Sequence, residues 1–206
     1  MGGYLSVVYA LKYPQYVEKL ILASPAGVSV RPENPPSPGR GWVVDMFAKV
    51  WGWNITPMDI LRTFGPFGSQ FLRQYTAHRF AYLDEIDHQD FHEYVYHISA
   101  QKGSGEYALA ALLHPGAWAK NPLCNRVHEL QVPTTFLYGR EDWMDYKGGL
   151  AAASRMKHVS ASVLMIDKAG HHLYLDNHAV FNEVIKSEMM NQDSKKLESV
   201  EIIYRH

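Results

Sequence analysis

Apolar residues follow two rhythms along this 206-residue chain. Toward both ends they come in short unbroken runs, and across the middle they recur every three or four positions. Residues 17–23 (VEKLILA), 132–139 (VPTTFLYG) and 161–166 (ASVLMI) are short apolar stretches bounded by turn residues, which predicts buried strands. Residues 2–13 read as a helix. Leu5, Val7, Val8, Tyr9 and Leu11 cover most of its circumference, so burial is expected on nearly every side. Pro14 cannot continue it. Residues 147–157 suit a helix, and Asn177 to Met190 form another, with Val180, Phe181, Val184 and Ile185 on one face.

The middle differs. Residues 31–40 hold four prolines and read as an exposed linker. Val43, Met46, Phe47, Val50 and Trp51 then follow helical spacing. Thr56 and Pro57 supply an N-cap and a proline at a first helical position. Further helices are marked by Phe71, Leu72 and Tyr75, by Phe91, Tyr94, Val95 and Ile98, and by Gly105 to Leu113 before His114-Pro115-Gly116. Residues 31–118 are thus expected to form a helical unit inserted between residues 1–30 and 119–206. In those flanking parts helices and strands alternate, which predicts an α/β class with a mostly parallel sheet flanked by helices. Three candidate strands are few for a sheet buried on both faces, so further strands upstream of Met1 are expected. Residues 192–206 receive no assignment, and there are no internal repeats.

Composition narrows the class. The chain is 47% hydrophobic and 20% charged with a net charge of −1, which suits a soluble globular protein and lacks the basic footprint of nucleic-acid binding. A single cysteine, Cys124, excludes an intrachain disulfide and favours a reducing, intracellular compartment. No stretch has the length of a membrane span, and none of residues 1–206 is expected to be a signal or transit segment. His88 and His92 stand four apart, a spacing that can hold zinc. However, Gln89 replaces the glutamate of the metalloprotease pattern and no third ligand is evident, so a solvated helix face is expected and no metal.

Met1-Gly2-Gly3 reads as the second half of a nucleophile elbow, G-x-S-x-G, with Met1 just after the serine. The nucleophile would then lie ahead of Met1. Ser6, inside the first helix, cannot replace it, and residues 1–206 alone are expected to be inactive. Asp142 follows a predicted strand, where α/β sites assemble, and can orient a histidine. It can equally be a turn or N-cap aspartate, and Asp145 and Glu141 are rivals. His171 follows the last predicted strand after Gly170, with His172 beside it, and the order acid-then-histidine suits acyl-transfer chemistry.

These segments, together with Leu137 to Asp145, Ala169-Gly170-His171 and the run His171 to Asp176, resemble the C-terminal part of an α/β-hydrolase with a helical cap. Tyr138-Gly139, Asp142-Trp143-Met144, Ser104-Gly105-Glu106-Tyr107 and residues 170–177 resemble one branch in particular. It holds the cardiolipin-specific deacylase, lysophosphatidic acid acyltransferases and the lipase coactivator. The resemblance implies a partial α/β-hydrolase fold and a lipid or lysophospholipid ester substrate. It implies a Ser-His-Asp mechanism with His171 as base and Asp142 as acid, and no cofactor. His171 and Asp176 form the H-x4-D spacing by which such acyltransferases can activate an acceptor hydroxyl, while Asp176 also suits an N-cap. An upstream asparagine in place of the serine would imply a non-catalytic, coactivator-like binding protein instead. Trp42, Phe47, Trp51 and Trp53 fit cap packing or contact with a membrane or lipid-droplet surface. A mitochondrial or droplet location fits the branch.

Overall fold

The computed structural model describes residues 1–33, 49–53, 55–80, 87–101, 103–191 and 197–206. The chain divides into two compact units, Met1–Glu33 with Gly116–His206, and Asn34–Pro115.

In the first unit, among the described residues, a four-stranded sheet has the order β1-β2-β3-β4. Its strands are β1 (Leu20–Ala23), β2 (Thr134–Gly139), β3 (Ala161–Ile166) and β4 (Val200–Arg205). β1, β2 and β3 run parallel, with Leu20 opposite Thr134 and Thr134 opposite Ala161. Every residue of β2 and β3 is buried, as expected of central strands covered on both faces. Burying each of Phe136, Leu137, Leu164 and Ile166 contributes roughly 1.5–3 kcal/mol. β4 lies in the tail that the sequence leaves unassigned. It pairs antiparallel with β3, from Val200 beside Ile166 to Arg205 beside Ser162, with a bulge opposite Val163 and Leu164.

Three helices pack on this sheet. They are α1 (Gly2–Lys12), α2 (Tyr146–Ala153) and α3 (His178–Met189). α1 departs from expectation. Tyr4, Val7 and Ala10 are buried on one stripe, while Leu5 and Tyr9 are about half exposed, so apolar residues all round do not mean burial all round. α3 begins at the Asn177 cap, whose side chain accepts from Val180 N, and lays Val180, Val184 and Ile185 on a core of Leu137, Leu164, Ile166 and Leu173.

At the amino end of the sheet, Glu188 of α3 is buried among polar groups. It accepts from the Thr135 hydroxyl at 2.7 Å and pairs with Lys19 at 3.2 Å and Arg205 at 3.0 Å. The Lys19 ammonium also donates to the Glu188 carbonyl. One carboxylate therefore ties β2, α3, β4 and the approach to β1.

The second unit is helical. Residues 57–63, 66–79, 88–100 and 104–112 form helices. Thr56 and Asp59 make a reciprocal capping box with Pro57 at the first helical position. Arg62 grips buried Glu106 through two hydrogen bonds, of 3.1 and 2.6 Å. His92 corrects the expected solvated face. It is buried, with Ser69 Oγ and Thr76 Oγ1 each 3.4 Å from its ring nitrogens, and burial lowers its pKa, whereas His88 is exposed. On the same helix Tyr94 and Ile98 are largely exposed, so the buried side is turned away from the apolar stripe. Trp51 donates to Leu113 O at 3.1 Å, and Trp53 is exposed. Residues 34–48, which include Trp42 and Phe47, lie outside the described residues, as do 192–196.

Candidate active site

Two loops at the carboxyl end of the sheet carry the candidate chemistry, one after β2 and one after β3. They are stitched together through their backbones: Arg140 N donates to Ile166 O at 2.9 Å and Glu141 N to Ala169 O at 3.0 Å. Gly139 makes that approach possible. A Cβ there would lie 2.2 Å from Ala169 O and 2.4 Å from Gly170 O, both backbone atoms that cannot step aside. Gly139→Ala is therefore expected to push the loops apart at a cost of about 1–3 kcal/mol. Denaturant unfolding with NMR of the His171 ring checks this, and an unchanged midpoint and ring environment would refute the steric account.

Stitched loops bring the acid to the histidine. His171 Nδ1 lies 3.1 Å from Asp142 Oδ1, which also accepts from Met144 N at 2.9 Å. The Asp142 side chain is 0% exposed and that of His171 28%, so the carboxylate is sealed behind an imidazole that still reaches the surface. With Nδ1 on a carboxylate, the proton of the neutral ring sits on Nδ1 and Nε2 is left to accept one. Burial pushes the Asp142 carboxyl up. The His171 ring, the Ser24 hydroxyl and the Met144 N–H together outweigh burial and hold its pKa below the ordinary value. Trp143 lies against the ring at 5.0 Å between centroids and is itself well exposed.

The rival residues have other employment. Asp145 caps α2 by accepting from Lys147 N at 2.9 Å. Glu141 is exposed and enters the stitch through its backbone. His172 Nδ1 faces the Tyr174 hydroxyl at 3.1 Å. Asp176 sends Oδ2 to Gly170 N at 2.8 Å, bracing the turn just before His171. It closes the short helix Leu173–Asp176, and the cap of the next helix is Asn177 rather than Asp176. Helix geometry explains the shift, because the side chain that reaches back to the third N–H belongs to the residue immediately before the helix.

Met1 occupies the N-cap of α1, and Gly2 and Gly3 open the helix. A Cβ on Gly3 would lie 2.9 Å from Pro25 Cβ, so the start of α1 sits on the segment that leaves the carboxyl end of β1. Ser6 Oγ donates to Gly2 O at 3.0 Å, inside its own helix. Ser24, the last residue before Pro25, was passed over in the sequence; a polar residue closing an apolar strand is the signal that marks it.

A parallel sheet whose strand-end loops present a carboxylate–imidazole pair defines a class. A family model described as the alpha/beta hydrolase fold matches residues 1–178, and the chain belongs to that family. It is 34% identical over 206 residues to the 1-acylglycerol-3-phosphate O-acyltransferase of Arabidopsis thaliana, covering 94% of this chain and 49% of the relative. It is 32% identical over 191 residues to the human (lyso)-N-acylphosphatidylethanolamine lipase, covering 90% of this chain and 55% of the relative. The chain thus spans about half the length of the curated relatives it matches. Among solved structures, bromoperoxidase from Bacillus anthracis superposes with a TM-score of 0.58 at 18% identity, over 92% of this chain and 64% of the other, a likeness of fold alone.

Proposed function

We propose that this chain carries the acid and base of a Ser-His-Asp acyl-transfer site acting on a phospholipid or lysophospholipid ester. The observation that carries the reading is the sealed contact between Asp142 and the outward-facing His171. In the reaction, a serine just ahead of Met1 attacks the ester carbonyl and passes its proton to His171 Nε2. Asp142 stabilises the imidazolium, and the proton returns to the leaving alcohol. Backbone N–H groups at the start of α1 contribute to holding the oxyanion. Water as second acceptor gives hydrolysis, and a lysophospholipid hydroxyl gives transfer.

The substrate class draws on the two relatives, one named for acylating a glycerophosphate and one for a lipase reaction. The helical unit, read as the cap, adds support: it holds a groove of about 370 Å³ lined by Ile60, Leu61, Phe64, Phe71, Leu72 and Tyr75, of a kind that suits an acyl chain. No helix among the described residues is long and apolar enough to cross a membrane, so a lipid substrate would be met by peripheral contact at a membrane or droplet surface.

The test is to isolate the native protein, read its intact mass and the 5′ end of its transcript, and treat it with a fluorophosphonate. Labelling of a serine in the elbow, with release or transfer of fatty acid from lysophosphatidic acid or N-acylphosphatidylethanolamine, is expected. Absence of both labelling and lipid turnover would sink the reading.

A further inference from the structure

Ser24 is placed oddly for a serine. It directly follows β1, its N–H donates to Leu137 O at 2.8 Å, and it is 6% exposed. Its φ is +43°, in the left-handed region where glycine sits without strain and other residues do not. Nothing about the turn calls for a side chain. The side chain it has is a hydroxyl that is buried and makes no well-formed hydrogen bond.

A second orphan lies at the same end of the sheet, in the loop after β2, the strand whose Leu137 O takes the Ser24 N–H. Asp142 Oδ2 is likewise buried without a well-formed partner, although Oδ1 of the same carboxylate takes both His171 and Met144 N. The Ser24 hydroxyl lies close enough to this carboxylate to help hold it ionised. Two unpaired polar atoms in one dry place are costly apart, and they are a donor and an acceptor.

We propose that Ser24 is a positioning residue for the acid: its hydroxyl turns onto Asp142 Oδ2 and pins the carboxylate from behind, so that Oδ1 stays on the His171 ring. The strained serine is then explained by the hydroxyl it carries. This role rests on the reading of Asp142 and His171 as acid and base. It adds a residue from a third strand end, 118 positions before Asp142 in sequence, to a site otherwise drawn from the β2 and β3 loops.

The experiment is a carbon-13 NMR titration of the Asp142 carboxyl in the 206-residue chain, comparing Ser24 with Ser24→Gly and Ser24→Ala. Glycine relieves the backbone while deleting the hydroxyl, so this variant keeps the fold even if the alanine form does not. Removing a donor to the charged form shifts the carboxyl midpoint upward. The expected result is an upward shift in Ser24→Gly, matched by Ser24→Ala where that variant folds, together with broadening of the His171 Nδ1–H resonance. A midpoint in Ser24→Gly equal to that of the parent overturns the inference. The titration reads the carboxyl whether or not the protein turns over lipid. A shifted midpoint in a protein whose native form hydrolyses and transfers nothing leaves the contact between Ser24 and Asp142 standing and removes the functional reading. Lipid turnover with an unmoved midpoint does the reverse.

Discussion

Asp142→Asn is expected, on the proposed function, to lower kcat on a lysophospholipid ester about 10⁴-fold, with little change in KM, in a protein that carries the proposed elbow serine. The loss comes from the wrong tautomer. An amide at position 142 can present N–H to His171 Nδ1, which leaves the proton on Nε2, the atom that must accept it from the nucleophile. In the parent one oxygen, Oδ1, takes both the ring and the Met144 N–H, so an amide that turns its N–H to the ring also gives up the Met144 bond. About 10⁴ corresponds to roughly 5.5 kcal/mol of transition-state stabilisation, far more than a loop adjustment supplies. Asp176→Asn makes the contrast. Its carboxylate braces Gly170 N, and an amide oxygen can do the same, so turnover should fall about tenfold or less. A result in which Asp176→Asn is the more damaging of the two would place the orienting carboxylate at the H-x4-D position after all.

Glu188→Ala is expected to destabilise the first unit by about 3 kcal/mol. The carboxylate is nearly sealed, at 6% side-chain exposure, and three partners depend on it. Removing it takes the charged acceptor from the buried Thr135 hydroxyl, which turns to Ser162 Oγ at 3.1 Å, and strips Lys19 and Arg205 of the carboxylate they share. Lys19 and Arg205 are 22% and 31% exposed, so both regain some water, which sets the estimate at the lower end of the range for broken buried pairs. Urea unfolding gives the number, and hydrogen exchange at Tyr204 and Arg205 shows whether β4 loosens first. A midpoint within about 0.5 kcal/mol of the parent would mean that the cluster is ornamental.

The strands at 134–139 and 161–166 were legible because a strand buried on both faces needs an unbroken apolar run, and such runs are hard to mistake when turn residues bound them. The separation of Asp142 from His171 was legible for the same reason: one helix and one strand fill the interval and return the chain to the same end of the sheet. Other features depended on neighbours the sequence does not mark. β4 alternates Glu201 with Val200 and Ile202 over only six residues, too few to separate an edge strand from a polar tail. His92 is buried by hydroxyls from the 66–79 helix, and nothing in its own helix announces them. Asp176 fits an N-cap by residue type, but the helix begins two residues on, at His178. Glu188 acts through Thr135, Lys19 and Arg205, each on another element, where periodicity is blind.

The Asp142–His171 contact and the Lys19–Glu188 pair differ in how much chain they close. Asp142 and His171 are 29 residues apart, whereas the Lys19 ammonium reaches Glu188 across 169. Closing the longer loop costs about 1.5 kcal/mol more in chain entropy. The Asp142–His171 pair therefore belongs to a local segment that can gather its own contacts early, and the Glu188 clamp is a late joint, rewarded only once residues 19 and 188 have met.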